Sequence, residues 1–363
     1  MVDLEVCGGE WKPARTLVLV GRTGNGKSKT GNSIITTLNS MMGKQPKKPP
    51  FASKYSATGV TQECKLETTE FEGREINVID TPGLFDLQME TEFIAKELGR
   101  CLTMAKDGID AVLLIFSVRS RLTAEEKSAL INIRSIFGSN VVNHIIVVFT
   151  NGDALESDGQ TLDDYLTDDC PEFLKELLSV CDNRMVLFNN NSSDREQRET
   201  QVKELLQLVE KAVEHNGGAT YTDELHQKIK KLNAQFEKEE EEIKSLNAHS
   251  NLSREELLDR LQKATGKHCD QIMLAVNAHI IKTRQRMEMQ AAKERAERIK
   301  AEKEAEKERE RFKNEQKKMM EEAARQREND RKAAEREEQR LREQNKALQK
   351  ALDEKKSRSC RIL

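Results

Sequence analysis

Four short stretches hold residue types that can handle phosphate, a divalent cation and a purine base. GRTGNGKS, residues 21–28, fits G-x-x-x-x-G-K-[ST] and lies between the apolar run ARTLVLVG and a helical pattern starting at Lys27. Glycines such as Gly21, Gly24 and Gly26 let backbone N–H groups turn inward around phosphate oxygens, and the helix N-terminus adds partial positive charge. In such a loop Lys27 reaches the β- and γ-phosphates and Ser28 offers its hydroxyl to Mg²⁺, with Arg22, Thr23, Asn25 and Lys29 completing the cradle. NVIDTPG, residues 77–83, is a strand pattern ending in an acid: Asp80 can hold Mg²⁺ through water, and the Gly83 amide can meet a γ-phosphate. Alone, D-T-P-G is also a plain turn. Downstream of a phosphate loop it reads as a nucleotide-sensing segment. A third phosphate-side group is expected from a threonine in the loop between them. Thr58 and Thr61 both qualify, and Thr61 is preferred because it lies nearer the following hairpin.

The fourth stretch is FTNGD, residues 149–153. A carboxylate distinguishes guanine by accepting from both N1–H and the 2-amino group, a pair that adenine lacks, so Asp153 is the decisive residue. The position two before it, where a base-packing lysine is usual, holds Asn151 after Thr150. Asparagine hydrogen-bonds but cannot stack its stem along a base. Guanine selectivity is therefore expected to survive with reduced affinity, the alternative for Asp153 being a turn former. Position 84, where some switch proteins carry a water-orienting glutamine, is Leu84, and Gln88 comes four residues late. Slow hydrolysis is the expectation.

Strand and helix patterns alternate at the spacing that gives a parallel sheet covered on both faces. Strands are expected at 14–21, 110–118, 144–150 and 184–188, and a hairpin at 64–80 turning at Glu72-Gly73. Helices are expected at 27–41, 90–105, 123–137 (with Thr123 and Glu126 as a capping box), 161–180 and 194–214. The fold class is thus α/β, a mostly parallel sheet of P-loop GTPase type followed by a long charged helical tail. Composition supports the division. All six prolines lie at or before Pro171, and after Gly218 only Gly266 interrupts a glycine-free stretch.

Within the tail, Leu225, Ile229, Leu232, Phe236, Ile243 and Leu246 form a heptad seam missed at Glu239. NAHSNLSREE breaks it, and Ser253 with Glu256 starts a second helix with an apolar face of Leu258, Leu261, Ile272, Val276 and Ile280. Beyond Thr283 a solvated single helix and a coiled coil both fit. The expected divisions are an extension 1–14, the nucleotide domain 15–217, a heptad segment 218–249, a charged helical region 250–356 and a terminal segment 357–363.

The 363 residues carry a net charge of −3 with mixed signs along the tail, which argues against bulk nucleic-acid binding. The seven cysteines are scattered without a C-x-x-C pair and read as reduced thiols of the cytosol. No signal-peptide pattern is visible, and the longest apolar runs, IDAVLLIFSV and HIIVVF, fall short of the roughly 20 residues a membrane-spanning helix needs. The closing Cys360-Arg361-Ile362-Leu363 fits a prenylation box, with Leu363 favouring geranylgeranylation and Arg361 an unusual second residue. A single lipid chain binds membrane only marginally. Lys355, Lys356 and Arg358 would add about 1 kcal/mol each on an anionic leaflet, and a peripheral place on a cytosolic membrane face is expected.

GRTGNGKS, TGVTQEC, DTPGLFD, SRLTAEE, FTNGD and CDNRMVLFNN, in this order, resemble the AIG-type, or immune-associated nucleotide-binding, GTPases over residues 15–215, and the charged tail resembles plant-type members. The resemblance implies a GTP/GDP and Mg²⁺ site in which Asp153 reads guanine without the usual lysine. It implies that Asn189 and Asn190 touch the base from the other side. It also implies dimers packed through their nucleotide faces, with Arg121 approaching the partner's phosphates and hydrolysis depending on that contact, and a homodimer or homo-oligomer through the nucleotide domain and the helical tail is expected. Immune or stress responses are the setting it suggests.

Overall fold

The structure, a computed structural model, describes residues 12–44, 48–53, 61–84, 90–120, 131, 133–134, 136–167, 170–249 and 254–359. It divides into two units, Met1–Met287 and Glu288–Leu363.

In the first unit six strands form one sheet: β1 (Lys12–Val20), β2 (Lys65–Phe71), β3 (Arg74–Asp80), β4 (Ala111–Ser117), β5 (Ile145–Thr150) and β6 (Met185–Phe188). Their order is β2-β3-β1-β4-β5-β6. All neighbours are parallel except the β2–β3 hairpin. The hairpin turns at Glu72 and Gly73, both with positive φ, as the short Glu-Gly connection predicts. Every residue of β4 and β5 is buried, because helices cover both faces and the alternating side chains find apolar partners either way. Leu17, Leu19, Leu113, Ile115 and Val148 point to one face, which α1 (Lys27–Met41) and α6 (Arg195–His215) cover. Val18, Val20, Leu114, Phe116, Val147 and Phe149 point to the other. There they meet α2 (Thr91–Met104) and α5 (Glu172–Val180). Short helices α3 (Gly152–Asp158) and α4 (Leu162–Thr167) lie between β5 and α5.

The parallel strands are pinned at their N-terminal ends by ions. Arg15 makes a two-pronged bond to Glu210, with both distances 2.9 Å, and Arg74 pairs with the same carboxylate. The backbone N–H of Thr16 donates to Asp110 at 2.8 Å. That leaves the C-terminal strand ends for loops, the edge where open α/β sheets bind ligands.

Two helices follow, α7 (Glu224–His249) and α8 (Arg254–Ser359). Leu225 and Ile229, the first two positions of the heptad seam, are buried in the same apolar cluster as α2, together with Ile272, Ala275, Val276 and Ile280 of α8. The chain enters α7 through a small bridge in which Tyr221 and Ile109 exchange backbone hydrogen bonds of 2.7 and 3.1 Å. The second unit is the remainder of α8, with Ile299, Phe312, Met319, Leu341 and Leu348 exposed. Among the described residues no helix is long and apolar enough to cross a membrane.

Candidate functional site

Each of the five parallel strands delivers a site residue from its C-terminal end. β1 runs into the glycine loop. Gly21 stands there at φ 143°, and a Cβ would lie 2.6 Å from the Ile115 carbonyl oxygen, so only glycine lets the loop cross the tip of β4. Gly26 precedes α1 in a left-handed conformation with no side chain capping the helix, which leaves the first N–H groups of α1 to a ligand. Thr23 and Gly24 form the exposed crest of the loop, with Arg22 half-buried beside them. Lys27 is buried and donates from Nζ to the carbonyls of Gly21 (2.9 Å) and Arg22 (3.0 Å), spanning the loop from beneath.

Behind the loop, Ser28, Thr61 and Asp80 converge. Ser28 Oγ donates to Asp80 Oδ2 at 2.6 Å and lies 3.0 Å from Thr61 Oγ1, which is 3.5 Å from the same carboxylate oxygen. Asp80 is pinned at this point because Leu19 pairs with it across β1 and β3. Its second oxygen, Oδ1, is buried without a hydrogen-bond partner among the described residues. Burial pushes the Asp80 carboxyl up, opposed by the Ser28 hydrogen bond and the charge of Lys27. Two hydroxyls and a carboxylate with a spare lone pair form an all-oxygen set that suits a hard cation such as Mg²⁺. Thr58, the other threonine considered, lies outside the described residues.

Gly83 is buried just beyond Asp80. Thr81 Oγ1 donates to the Leu19 carbonyl at 2.6 Å and fixes the turn. Leu84 turns its side chain into the core with Leu98 and Ala95, so it offers nothing to a reacting water. Gln88, Arg121 and Cys360 lie outside the described residues.

The other end of the site is built by β4, β5 and β6. Thr150 Oγ1 donates to the Asn25 carbonyl at 2.8 Å, and Asn25 Nδ2 donates to the Ile115 carbonyl at 3.0 Å. Asn151 takes a left-handed backbone at φ 64° and donates to Ser117 Oγ at 2.7 Å. Asp153, in the first turn of α3, accepts at Oδ2 from Arg119 (2.7 Å) and Asn191 (3.3 Å), while its Oδ1 is buried with no hydrogen-bond partner among the described residues. A carboxylate oxygen in that state has strong affinity for an N–H donor.

The asparagines after β6 are occupied with the scaffold. The Asn189 backbone N–H donates to Gln201 Oε1 at 2.9 Å, and its side-chain amide donates to Glu156 at 3.2 Å. Asn190 bridges Thr30 and Ser33 of α1 at 2.9 and 2.8 Å. It is Asn191 that reaches Asp153, and Lys29 donates to Asn191 Oδ1. The sequence reading missed Asn191 and Arg119. The first is the third member of an Asn run; the second stands two residues before the arginine that attracted attention.

The sequence profile of the AIG1 family matches residues 15–240. The chain belongs to the AIG1 family. It is 43% identical over 310 residues to immune-associated nucleotide-binding protein 9 of Arabidopsis thaliana, covering 85% of this chain and 87% of that one. It is 48% identical over 243 residues to immune-associated nucleotide-binding protein 13 of the same plant, covering 66% and 68%. A solved structure of Toc33 from Arabidopsis thaliana, in complex with GDP and Mg²⁺, is similar at 20% identity and a TM-score of 0.37 over 54% of this chain and 84% of that one. In this AIG1-family chain the profile extends past α6 into α7, the helix that packs on α2.

Proposed function

We propose that this chain is a guanine-nucleotide switch using GTP, GDP and Mg²⁺, with slow GTP hydrolysis that depends on pairing with a second copy. The observation that carries the reading is a pair of buried carboxylate oxygens at opposite ends of one loop system, Asp80 Oδ1 and Asp153 Oδ1, that have no hydrogen-bond partner among the described residues. One suits a cation beside the terminal phosphates and the other suits the N–H edge of guanine, with Gly21–Ser28 spanning the distance between them. Ser28, Asp80 and Thr61 would hold Mg²⁺, which supplies charge neutralisation at the phosphates. Lys27 binds the β- and γ-phosphates, and the Gly83 amide senses the last one. Gly21 to Lys29 form the cradle, Thr150 braces it, and Asn189 and Asn190 hold the far wall of the base site.

Slow turnover follows from the buried Leu84, which leaves no water-orienting side chain at that position. The missing element would come from a partner through Arg121. Assembly at a cytosolic membrane face, helped by a prenylated Cys360 and the charged helix, completes the proposal. Leu84 equally favours a second reading, a GTP-binding scaffold whose output is oligomerisation alone.

The test is to titrate the full chain with GDP, a non-hydrolysable GTP analogue and the adenine equivalent while following mass by light scattering. Guanine-selective binding with dimers only in the GTP-like state is the expected result, and Lys27→Ala should remove binding. Equal affinity for adenine and guanine would end the claim that Asp153 reads the base.

A further inference from the structure

A lysine at position 151 would do two things: brace the glycine loop and place a cation beside the base. Here both functions are covered by other residues. Asn151 is bound to the tip of β4, because its amide donates to Ser117 Oγ at 2.7 Å. The bracing is done by Thr150 and Asn25, the former tied to the loop carbonyl at 2.8 Å and the latter to β4 at 3.0 Å. The cation comes from the β4 tip itself. Arg119 pairs with Asp153 at 2.7 Å, and its backbone N–H donates to the same Ser117 Oγ at 3.3 Å.

From this geometry we infer that Arg119 is a positioning residue for guanine recognition, replacing the base-side lysine that this chain lacks. The inference rests on Asp153 being the base reader. An oxygen of a carboxylate accepts at about two lone pairs. Arg119 and Asn191 fill those of Oδ2 and so fix the carboxylate with Oδ1 turned to the buried side. Without that clamp the carboxylate would rotate freely, and a purine would have to order it at a cost in affinity. The guanidinium also keeps a positive charge beside the carboxylate when the base shields it from water. Because the Arg119 side chain is 54% exposed, removing it leaves the core intact and its effect on an unliganded chain is small.

The opposite effect is also physically available, since Arg119 could compete with guanine for Oδ2. Calorimetric titration of the full chain with GDP and ADP decides, using the parent, Arg119→Ala and Arg119→Lys. Arg119→Ala is expected to weaken GDP roughly fivefold and leave ADP unchanged, so that the guanine-to-adenine preference shrinks by that factor. Lysine at this position keeps the charge pair and restores most of the preference. A parent that prefers guanine together with an Arg119→Ala variant of equal preference overturns this inference alone. Tighter GDP binding by the variant also overturns it, by making Arg119 a competitor. A parent without guanine preference overturns the Asp153 reading and this inference with it.

Discussion

At Asp153 one carboxylate oxygen is held by two donors and the other has no hydrogen-bond partner among the described residues, an asymmetry that fits the proposed reading of guanine. Exchanging it for asparagine makes the group part donor and part acceptor. Guanine offers two donors to that edge, whereas xanthine offers one donor and one acceptor. Asp153→Asn is therefore expected to weaken GDP by about 100-fold, the loss of a charge-assisted hydrogen bond plus a mismatch. Xanthosine diphosphate should bind the variant better than GDP does. Competition titration with both nucleotides checks this, and a variant that still prefers GDP would remove Asp153 from the base site. The residue types here were legible because they are locally required: a glycine where a Cβ would strike Ile115, an acid at the end of an apolar strand. Arg119 and Asn191 were not, because they reach Asp153 from the ends of different strands, and no spacing along the chain records that meeting.

Among the elements, α2 has the double position. It follows the segment that carries Asp80, Gly83 and Leu84, and on its far side it receives the helices after the sheet. Gly99 permits the approach: a Cβ there would come closer to Ile272 Cγ2 than side chains tolerate. The apolar face of Ile272, Val276 and Ile280 was readable as a helical stripe, since period alone shows that a helix has something to bury. What it buries against was not readable, because period contains no address. The strands were legible for the converse reason: β4 and β5, buried on both faces, read as unbroken apolar runs. Gly99→Ala should cost about 1–3 kcal/mol through overpacking at this contact. Hydrogen exchange is the measurement, with faster exchange expected in residues 254–287 while β1, β4 and β5 keep their protection. Uniform change across the sheet, or none in α8, would mean that the helix is not held through Gly99.

In the first unit taken whole, the junction where the chain leaves the sheet packs against a buried histidine. His144 is 5% exposed, with Nδ1 3.2 Å from the Asp110 carbonyl oxygen and its ring edge-on to Tyr221 at 5.6 Å. Burial pushes its pKa down, and the charges of Arg184 and His215 push the same way against the Asp110 carbonyl. In the unfolded chain the group titrates near its ordinary value of about 6.5. Below that pH the unfolded state binds a proton that the folded state refuses, so stability falls as the solution is acidified. The contribution is complete above about pH 6.5 and is lost as pH drops toward the depressed folded value, at no more than about 1.4 kcal/mol per pH unit for one proton. Asp80 and Asp110, whose carboxyls burial pushes up, act in the opposite sense, so the total profile mixes signs. The difference between parent and His144→Gln isolates the histidine. Urea unfolding between pH 7.5 and 5 should show the parent losing stability relative to the variant as pH falls through the histidine range. A difference that stays constant with pH would mean His144 is protonated as readily in the fold as out of it, and the junction would then be insensitive to acid.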